Sequence, residues 1–342
     1  MSSKLRVVAL VHRHLIPPET IEAGTDIESA PWRTEHDVIT TLKGMGHEVA
    51  VLAVHDDLGE IRRLVEEFKP QIAFNLLEGF DDIVVFDQNV VSHLELLKLS
   101  YTGCNPRGLL LARDKSLSKK LLAYHRIPVP ESEVYRIGRP IRRPKRLVYP
   151  LIVKSLTQEA SIGISQASVV ETDEKFKERV LFVHESIGTT AIAEQYIEGR
   201  ELYVGILGNQ ALQAMPVWEM YFNNMPEGSK RIATDRVKWS VKYQKKHGID
   251  SGPVRELPEN QTQAIQHLCK RAYRALEMSG YGRIDLRLDD AGKVWVLEAN
   301  PNPQIAKGED FAASAEKAGL SYETVLQRII NLGLRWQPEN VV

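Results

Sequence analysis

The chain has 342 residues, 43% of them hydrophobic, which is enough to bury a large core spread over two or three domains. Its 44 Lys and Arg against 45 Asp and Glu give a formal net charge of −1, so no global field draws it to nucleic acid or to an anionic membrane. Two distant cysteines, Cys104 and Cys269, with no CxxC and no apolar run of membrane length, exclude a disulfide framework, a zinc site of ordinary cysteine spacing and a spanning helix, and suit a reducing cytoplasm.

Residues 5–11, 49–54 and 71–75 are apolar runs of strand length. Between them, residues 34–45 and 58–68 carry apolar side chains at helical spacing (Val38, Leu42, Met45; Ile61, Leu64, Val65, Phe68). This alternation predicts a parallel sheet covered by helices, with ligands held at the carboxyl ends of its strands, near residues 12–19 and 76–82. Neither place has a GxGxxG fingerprint, which argues against a nicotinamide-binding domain. The run at 5–11 is short and lacks a small-residue cleavage site, so it reads as a first strand rather than a signal peptide. Next, residues 113–122 read as a basic helix with Asp114 at its N-terminus, and residues 127–130 and 139–149 as extended connections. A strand at 151–154 ends in Lys154. A polar loop at 155–163, a strand at 164–170, a helix at 173–184 and strands at 191–197 and 201–207 follow. Residues 221–254 read as a long irregular stretch with Lys230, Arg231, Arg236, Lys238, Lys242, Lys245 and Lys246. A loop of this length is usually a lid or disordered, and this one precedes the most informative segment of the chain. Helices are expected at about 259–278 and 321–332.

That segment is a hairpin. Ile284, Leu286 and Leu288 alternate with Arg283, Asp285 and Arg287, residues 289–292 are turn-forming, and residues 294–297 make the return strand. Folding about the turn sets Asp285 near Glu298, diagonally across the pair, and Asn300 points the same way as Glu298. Two carboxylates and an amide oxygen beside Arg283 suit Mg²⁺ on nucleotide phosphates. The ordinary alternative, a hairpin with solvated outer charges, stays open on this pattern alone.

Six ordered blocks narrow the reading: Phe74 to Gly79, Ser100 to Gly103, Asp114-Lys115, Pro150 to Lys154, Tyr281 to Asp285, and Leu297 to Asn300. With them the chain resembles the ATP-grasp superfamily, and within it the D-alanine–D-alanine ligase branch of carboxylate–amine ligases. The resemblance implies an α/β chain with an ATP-grasp fold behind an N-terminal Rossmann-like parallel domain. The domains would be residues 1–108, a central subdomain at 109–200 and a C-terminal subdomain at 201–342 with lid and metal-binding hairpin. It implies ATP and two Mg²⁺ ions (Mn²⁺ as a substitute), small-molecule amino acid or peptide substrates, and a homodimer. Lys115 and Lys154 match the phosphate-holding lysines. Glu194, Gln195, Tyr196 and Ile197 match the adenine hinge, and Glu201 matches the carboxylate on the ribose. Asp285, Glu298 and Asn300 match the metal ligands. Arg283, the lid lysine Lys238 and Ser161 of the phosphate loop match catalytic positions. The implied chemistry is attack of a carboxylate on the γ-phosphate, then attack of an amine on the acylphosphate.

The chain departs from the branch mainly where substrates would bind. Glu159 and Ala160 replace a glycine and a serine of the phosphate loop. The first domain lacks the glycine-glycine turn after its first strand, and residues 11–20 stand where the branch's Glu–Val–Ser run was sought. Glu78 replaces a histidine, and residues 301–305 replace Thr-Ser-Pro-Gly-Met. Glu78, Glu28 or Asp26 are candidates for a substrate ammonium, and His12, Arg13, His14, Gln304, Lys307 and Glu309 for other substrate contacts. Either histidine taken alone is more simply a satisfied loop residue. Three other readings remain: an authentic D-alanine–D-alanine ligase, a phosphotransferase on the same fold, and a nucleotide-binding protein without catalysis.

Overall fold

The structure is a computed structural model that describes residues 4–158 and 161–338. The first part alternates strand and helix: β1 (Arg6–His12), α1 (Arg33–Gly44), β2 (Glu48–Val54), α2 (Leu58–Phe68), β3 (Ile72–Asn75), α3 (Asp87–Leu96) and β4 (Ser100–Tyr101). The strands pair in parallel in the order β2-β1-β3-β4. Val8 and Leu10 of β1 enter one core while Val7 enters another, because alternate side chains point to opposite faces and helices cover both. The connections at the amino ends of these strands are short, whereas residues 13–32 and 76–86 leave the carboxyl ends of β1 and β3 as longer loops.

Next come α4 (Pro106–Arg113), α5 (Lys115–Tyr124), β5 (Ser132–Tyr135), β6 (Leu151–Ser155), β7 (Val169–Val170), α6 (Asp173–Phe182) and β8 (Ala191–Gln195). Asp114 caps α5 by accepting from the backbone N–H of Ser116 and Leu117, both at 2.9 Å. Strands β5-β8-β6-β7 form an antiparallel sheet with its own core of Leu151, Val153, Phe176 and Val180. The strand expected at 164–170 is reduced to β7. Residues 161–164 instead turn back toward residues 233–235, and residues 166–168 form a short 3₁₀ turn. The substituted loop positions Glu159 and Ala160 lie outside the described residues.

The last part contains β9 (Arg200–Leu207), β10 (Gln213–Ala214), β11 (Trp218–Phe222), α7 (Asp235–Trp239), α8 (Val241–His247), β12 (Ile249–Pro253), α9 (Glu259–Ala275), β13 (Tyr281–Leu288), β14 (Val294–Pro301), α10 (Asp310–Lys317) and α11 (Tyr322–Arg335). Its antiparallel sheet runs β12-β11-β9-β13-β14, with β10 on β9. The stretch expected to be irregular at 221–254 therefore holds two short helices and an edge strand. Thr234 and Ser240 supply the N-caps that start those helices. At Gly199, φ is +142° and a Cβ would sit 2.1 Å from the Leu288 carbonyl, so only glycine allows the turn from β8 into β9. One core runs from Val8 and Leu10 through Leu202, Val204, Ile284 and Leu286 to α9, and fixes the first sheet against the last. Each such fully buried aliphatic side chain contributes about 1.5–3 kcal/mol. No helix among the described residues is long and apolar enough to cross a membrane.

Candidate active site

The β13–β14 hairpin has one irregularity, and it sets the site. Asp285 pairs with Glu298, yet Leu286 pairs with Val296, so Leu297 is an extra residue with no counterpart on β13. The bulge places Glu298 directly opposite Asp285 and on its face. In the register set by Leu286 and Val296, Asp285 would face Leu297 and Glu298 would point to the other side of the hairpin, so the diagonal pairing expected from the sequence is replaced by a direct one. Arg283 pairs with Asn300 on the same face. The Leu297 carbonyl, removed from the ladder, accepts from the Lys119 ammonium on α5.

Lys119 is the first functional side chain that sequence reasoning missed. Its Nζ lies 3.3 Å from Glu194 Oε1, while Lys154 Nζ lies 3.3 Å from Glu194 Oε2 and 4.0 Å from Glu298. The signal was its position four residues after Lys115, which puts both on one side of α5. Burial alone would push the Glu194 carboxyl up, but the two lysines outweigh it and hold it down. Burial also opposes the Lys154 charge, and Glu194 with Glu298 reverses that and raises it. Lys119, further repelled by Lys154, stays pushed down by its burial. Glu298 would likewise be pushed up by burial, but Lys154, Lys115, Lys238 and Lys119 bring it down to about 2.

Asp285 is held differently. Arg283 donates to it twice, Nε to Oδ1 at 2.7 Å and Nη2 to Oδ2 at 2.9 Å. Even so, burial leaves the Asp285 carboxyl above its ordinary range, whereas the Arg283 guanidinium is raised by its partner despite burial. A second missed residue, Arg287, donates to Glu201 Oε2 at 2.7 Å and to the Gly199 carbonyl at 2.8 Å, and Tyr203 donates to Glu201 Oε1 at 2.9 Å. Arg287 was legible as the next same-face position after Arg283 and Asp285.

These groups line a cavity of about 80 Å³ between the two antiparallel sheets, with Lys154, Ser161, Glu194, Glu201, Asp285 and Glu298 among its walls. Gln195, Tyr196, Ile197 and Lys238 border it too. Ligand pockets are usually ~300 Å³ or more, so this cleft is closed. Ser161 Oγ donates to the Ala233 carbonyl at 2.7 Å, and Asp235 N donates to the Ile164 carbonyl at 3.2 Å. The phosphate-loop region and the lid region thus meet over the cavity. Lys115 Nζ donates to the Gln158 carbonyl at 2.8 Å beside it.

A second cavity, about 390 Å³, shares Lys238, Arg283 and Glu298 with this region and is also lined by Glu78, Asn300, Gln304 and Glu309. The structure brings Glu78, Gln304 and Glu309 together in the walls of this one cavity. His12 and Glu28 are not among its lining residues. Glu28 is exposed, and its carbonyl accepts from Arg33 at 3.5 Å. Helix α1 is fastened to the loop after β14: Arg33 Nη1 lies 3.3 Å from Glu309 Oε1, and Asp37 Oδ2 accepts from Lys307 N at 2.9 Å. Burial pushes Glu309 up, and Asp310 adds to it. On the same helix Glu35 is 4% exposed and its Oε2 has no hydrogen-bond partner among the described residues. Burial, with Glu78 adding to it, pushes this carboxyl up to about 7. Glu35 is absent from the candidates Glu78, Glu28 and Asp26 read from the sequence, because 20 residues separate β1 from α1 and nothing in their spacing places α1 against this site.

The family described as D-ala D-ala ligase C-terminus matches residues 137–331. The chain belongs to the D-alanine–D-alanine ligase family. The D-alanine–D-alanine ligase of Bordetella petrii is 30% identical over 310 residues, covering 87% of this chain and 88% of that protein. An uncharacterized protein of Sinorhizobium fredii, y4sG, is 28% identical over 316 residues and 89% of each chain. The ATP complex of the D-alanine–D-alanine ligase from Bacillus anthracis superposes with a TM-score of 0.73 at 22% identity, over 97% of this chain and 98% of that one. The fold is the ATP-grasp fold, and this family member is an ATP-dependent ligase of the C–N bond-forming class.

Proposed function

We propose that the chain joins the carboxylate of one amino acid or short peptide to the amine of another through an acylphosphate, releasing ADP and phosphate, with acceptor and donor pockets altered from those that take two D-alanines. The observation that carries this is the single face of Arg283, Asp285, Glu298 and Asn300 set against Lys115, Lys119, Lys154 and Lys238. Several lysines around one carboxylate leave an excess of positive charge that suits the phosphates of ATP. Opening the contact between residues 161–164 and 233–235 would admit the nucleotide. Its adenine edge would meet the strand end at 194–197, and its ribose the carboxylate that Arg287 and Tyr203 aim.

The donor set fits Mg²⁺: Asp285, Glu298 and Asn300 offer hard oxygen ligands on the two rigid strands of the hairpin. Two ions, or Mn²⁺ in their place, would supply neutralisation of the phosphate charge. Arg283, now bidentate on Asp285, would turn part of its guanidinium to the oxyanion formed when the amine adds to the acyl carbon. Lys238 would neutralise the transferring phosphoryl group from the lid, and Ser161 would latch the phosphate loop. Glu35 and Glu78 would take the substrate ammonium, which would also draw the Glu35 proton off. The assignment keeps the domain division at 1–108, 109–200 and 201–342, a homodimer and a cytoplasmic setting.

The test is a panel of amino acids and dipeptides with ATP and Mg²⁺, read as phosphate release and as product mass. The expected result is a new amide formed one-to-one with phosphate for at least one pair, and more slowly for D-alanine with itself. Phosphate release without any amide would establish an ATPase instead, and a phosphorylated substrate formed without phosphate release a phosphotransferase. Fastest turnover with D-alanine alone would restore the unaltered ligase.

A further inference from the structure

Away from both cavities, the carboxyl ends of three neighbouring parallel strands bring two histidines and a carboxylate together. His12 closes β1, His55 follows β2, and Asp82 lies in the turn after β3; the sheet order β2-β1-β3 makes these ends adjacent. His12 Nε2 is 3.2 Å from Asp82 Oδ1, and the His12 and His55 rings stand nearly perpendicular with centroids 6.1 Å apart. One donor atom from each of the three lies within 4.8 Å of the others. Asp82 is set by a tight turn in which the backbones of Phe80 and Ile83 pair with each other, and Asp81 N donates to the His55 carbonyl at 2.8 Å. His55 Nδ1 is buried and has no hydrogen-bond partner among the described residues.

Tetrahedral ligands at ~2.0–2.1 Å from zinc lie ~3.3 Å from one another, close to the His12–Asp82 separation. The third donor lies within 4.8 Å, so it needs a movement of at most about 1.5 Å, within the reach of side-chain rotation. Two imidazoles and one carboxylate select a transition metal over Mg²⁺, which prefers oxygen ligands throughout. We propose that His12, His55 and Asp82 bind a divalent transition metal of the zinc class, with water completing its coordination. The His12 ring now accepts from His14 N through Nδ1 at 3.4 Å, so its neutral form carries the proton on Nε2. Binding moves that proton to Nδ1, gives up the weak His14 contact, and leaves the Nε2 lone pair for the metal. An ion there ties the turn at 80–83 to the first two strands and so steadies the loop that carries Glu78. That consequence rests on the proposed role of Glu78, whereas the binding itself does not.

The experiment is a Zn²⁺ titration of the full chain, stripped of metal, against a chromogenic chelator, with Co²⁺ absorption reporting the ligand set. His12→Ala, His55→Ala and Asp82→Asn are each expected to lose at least ~10-fold in affinity for one Zn²⁺ and the matching Co²⁺ band. Glu298→Gln is expected to keep both, which separates this site from the cleft. Asp82 is 66% exposed, so Asp82→Asn should melt like the parent in chelator. Zn²⁺ should slow amide exchange over residues 76–86 in the parent alone. Equal affinity in the parent and Asp82→Asn, or no Zn²⁺ bound, overturns the proposal. Failure of the amide-forming assay leaves this readout untouched.

Discussion

In the cleft between the two antiparallel sheets the buried carboxylates are answered by bases: Glu194 by Lys119 and Lys154, Glu201 by Arg287, Asp285 by Arg283, and Glu298 by the surrounding lysines. In the second cavity Glu78 and Glu309 share the walls with Arg113, Lys238 and Arg283, and Glu309 also has Arg33. The buried Glu35 of α1 lies outside that lining but in the field of Glu78, and its Oε2 has no hydrogen-bond partner among the described residues. The first arrangement can exchange its internal ion pairs for an incoming polyanion. The second brings carboxylates together around a buried one, a setting that favours a cationic ligand such as an ammonium group.

The largest effect that would break this comparison is expected at Glu298. Glu298→Gln should melt like the parent but lose about 10³-fold in amide formation, roughly 4 kcal/mol of transition-state stabilisation. Full activity in that variant would remove the cleft from the chemistry. Lys119→Met tests whether the cleft's bases also hold the fold. It strips Glu194 of one partner and the bulged Leu297 carbonyl of its donor, and urea unfolding should show a loss of about 3 kcal/mol or more. Unchanged stability would mean that Lys154 alone suffices.

Glu35 sharpens the other half of the comparison through pH. Its carboxyl rises from 4.5 to about 7 on folding, so the native state binds more protons than the unfolded one between these values. The stability it supports is complete below about pH 4.5 and lost as pH rises through 7, a cost of about 3 kcal/mol at neutral pH. Glu35→Gln should flatten that part of the profile and raise the melting temperature at pH 7.5. A parallel profile for parent and variant would show that Glu35 does not titrate there. The smallest effect belongs to Glu78→Gln. It should raise the KM of the amine-bearing substrate by a factor worth about 1–3 kcal/mol while the KM for ATP stays put. Equal changes in both constants would place Glu78 in the lid's closure instead of in substrate binding.

Local pattern was enough for much of this. Helix α2 begins and ends where the spacing of Ile61, Leu64, Val65 and Phe68 sets it, and Asp114 caps α5 as its position implied. Arg283 and Asp285 share a face, as do Glu298 and Asn300, because strand side chains alternate; that the two pairs share one face is the work of the bulge. Lid secondary structure was less legible, since α7 and α8 are single short helices whose caps matter more than any apolar period.

The sequence by itself determined the order of elements and the alternation of charged and apolar residues along β13, which follow from spacings of two to four residues, and, through six ordered blocks, the branch of enzymes the chain resembles. Only the tertiary structure decided that Leu297 bulges and gives its carbonyl to Lys119, 178 residues away, and that Arg283 grips Asp285 with both nitrogens. It also decided that Glu35 is buried near Glu78, and that His12, His55 and Asp82 meet at one end of a sheet. Such contacts join segments whose separation along the chain carries no period, so they emerge only when the sheets and helices pack.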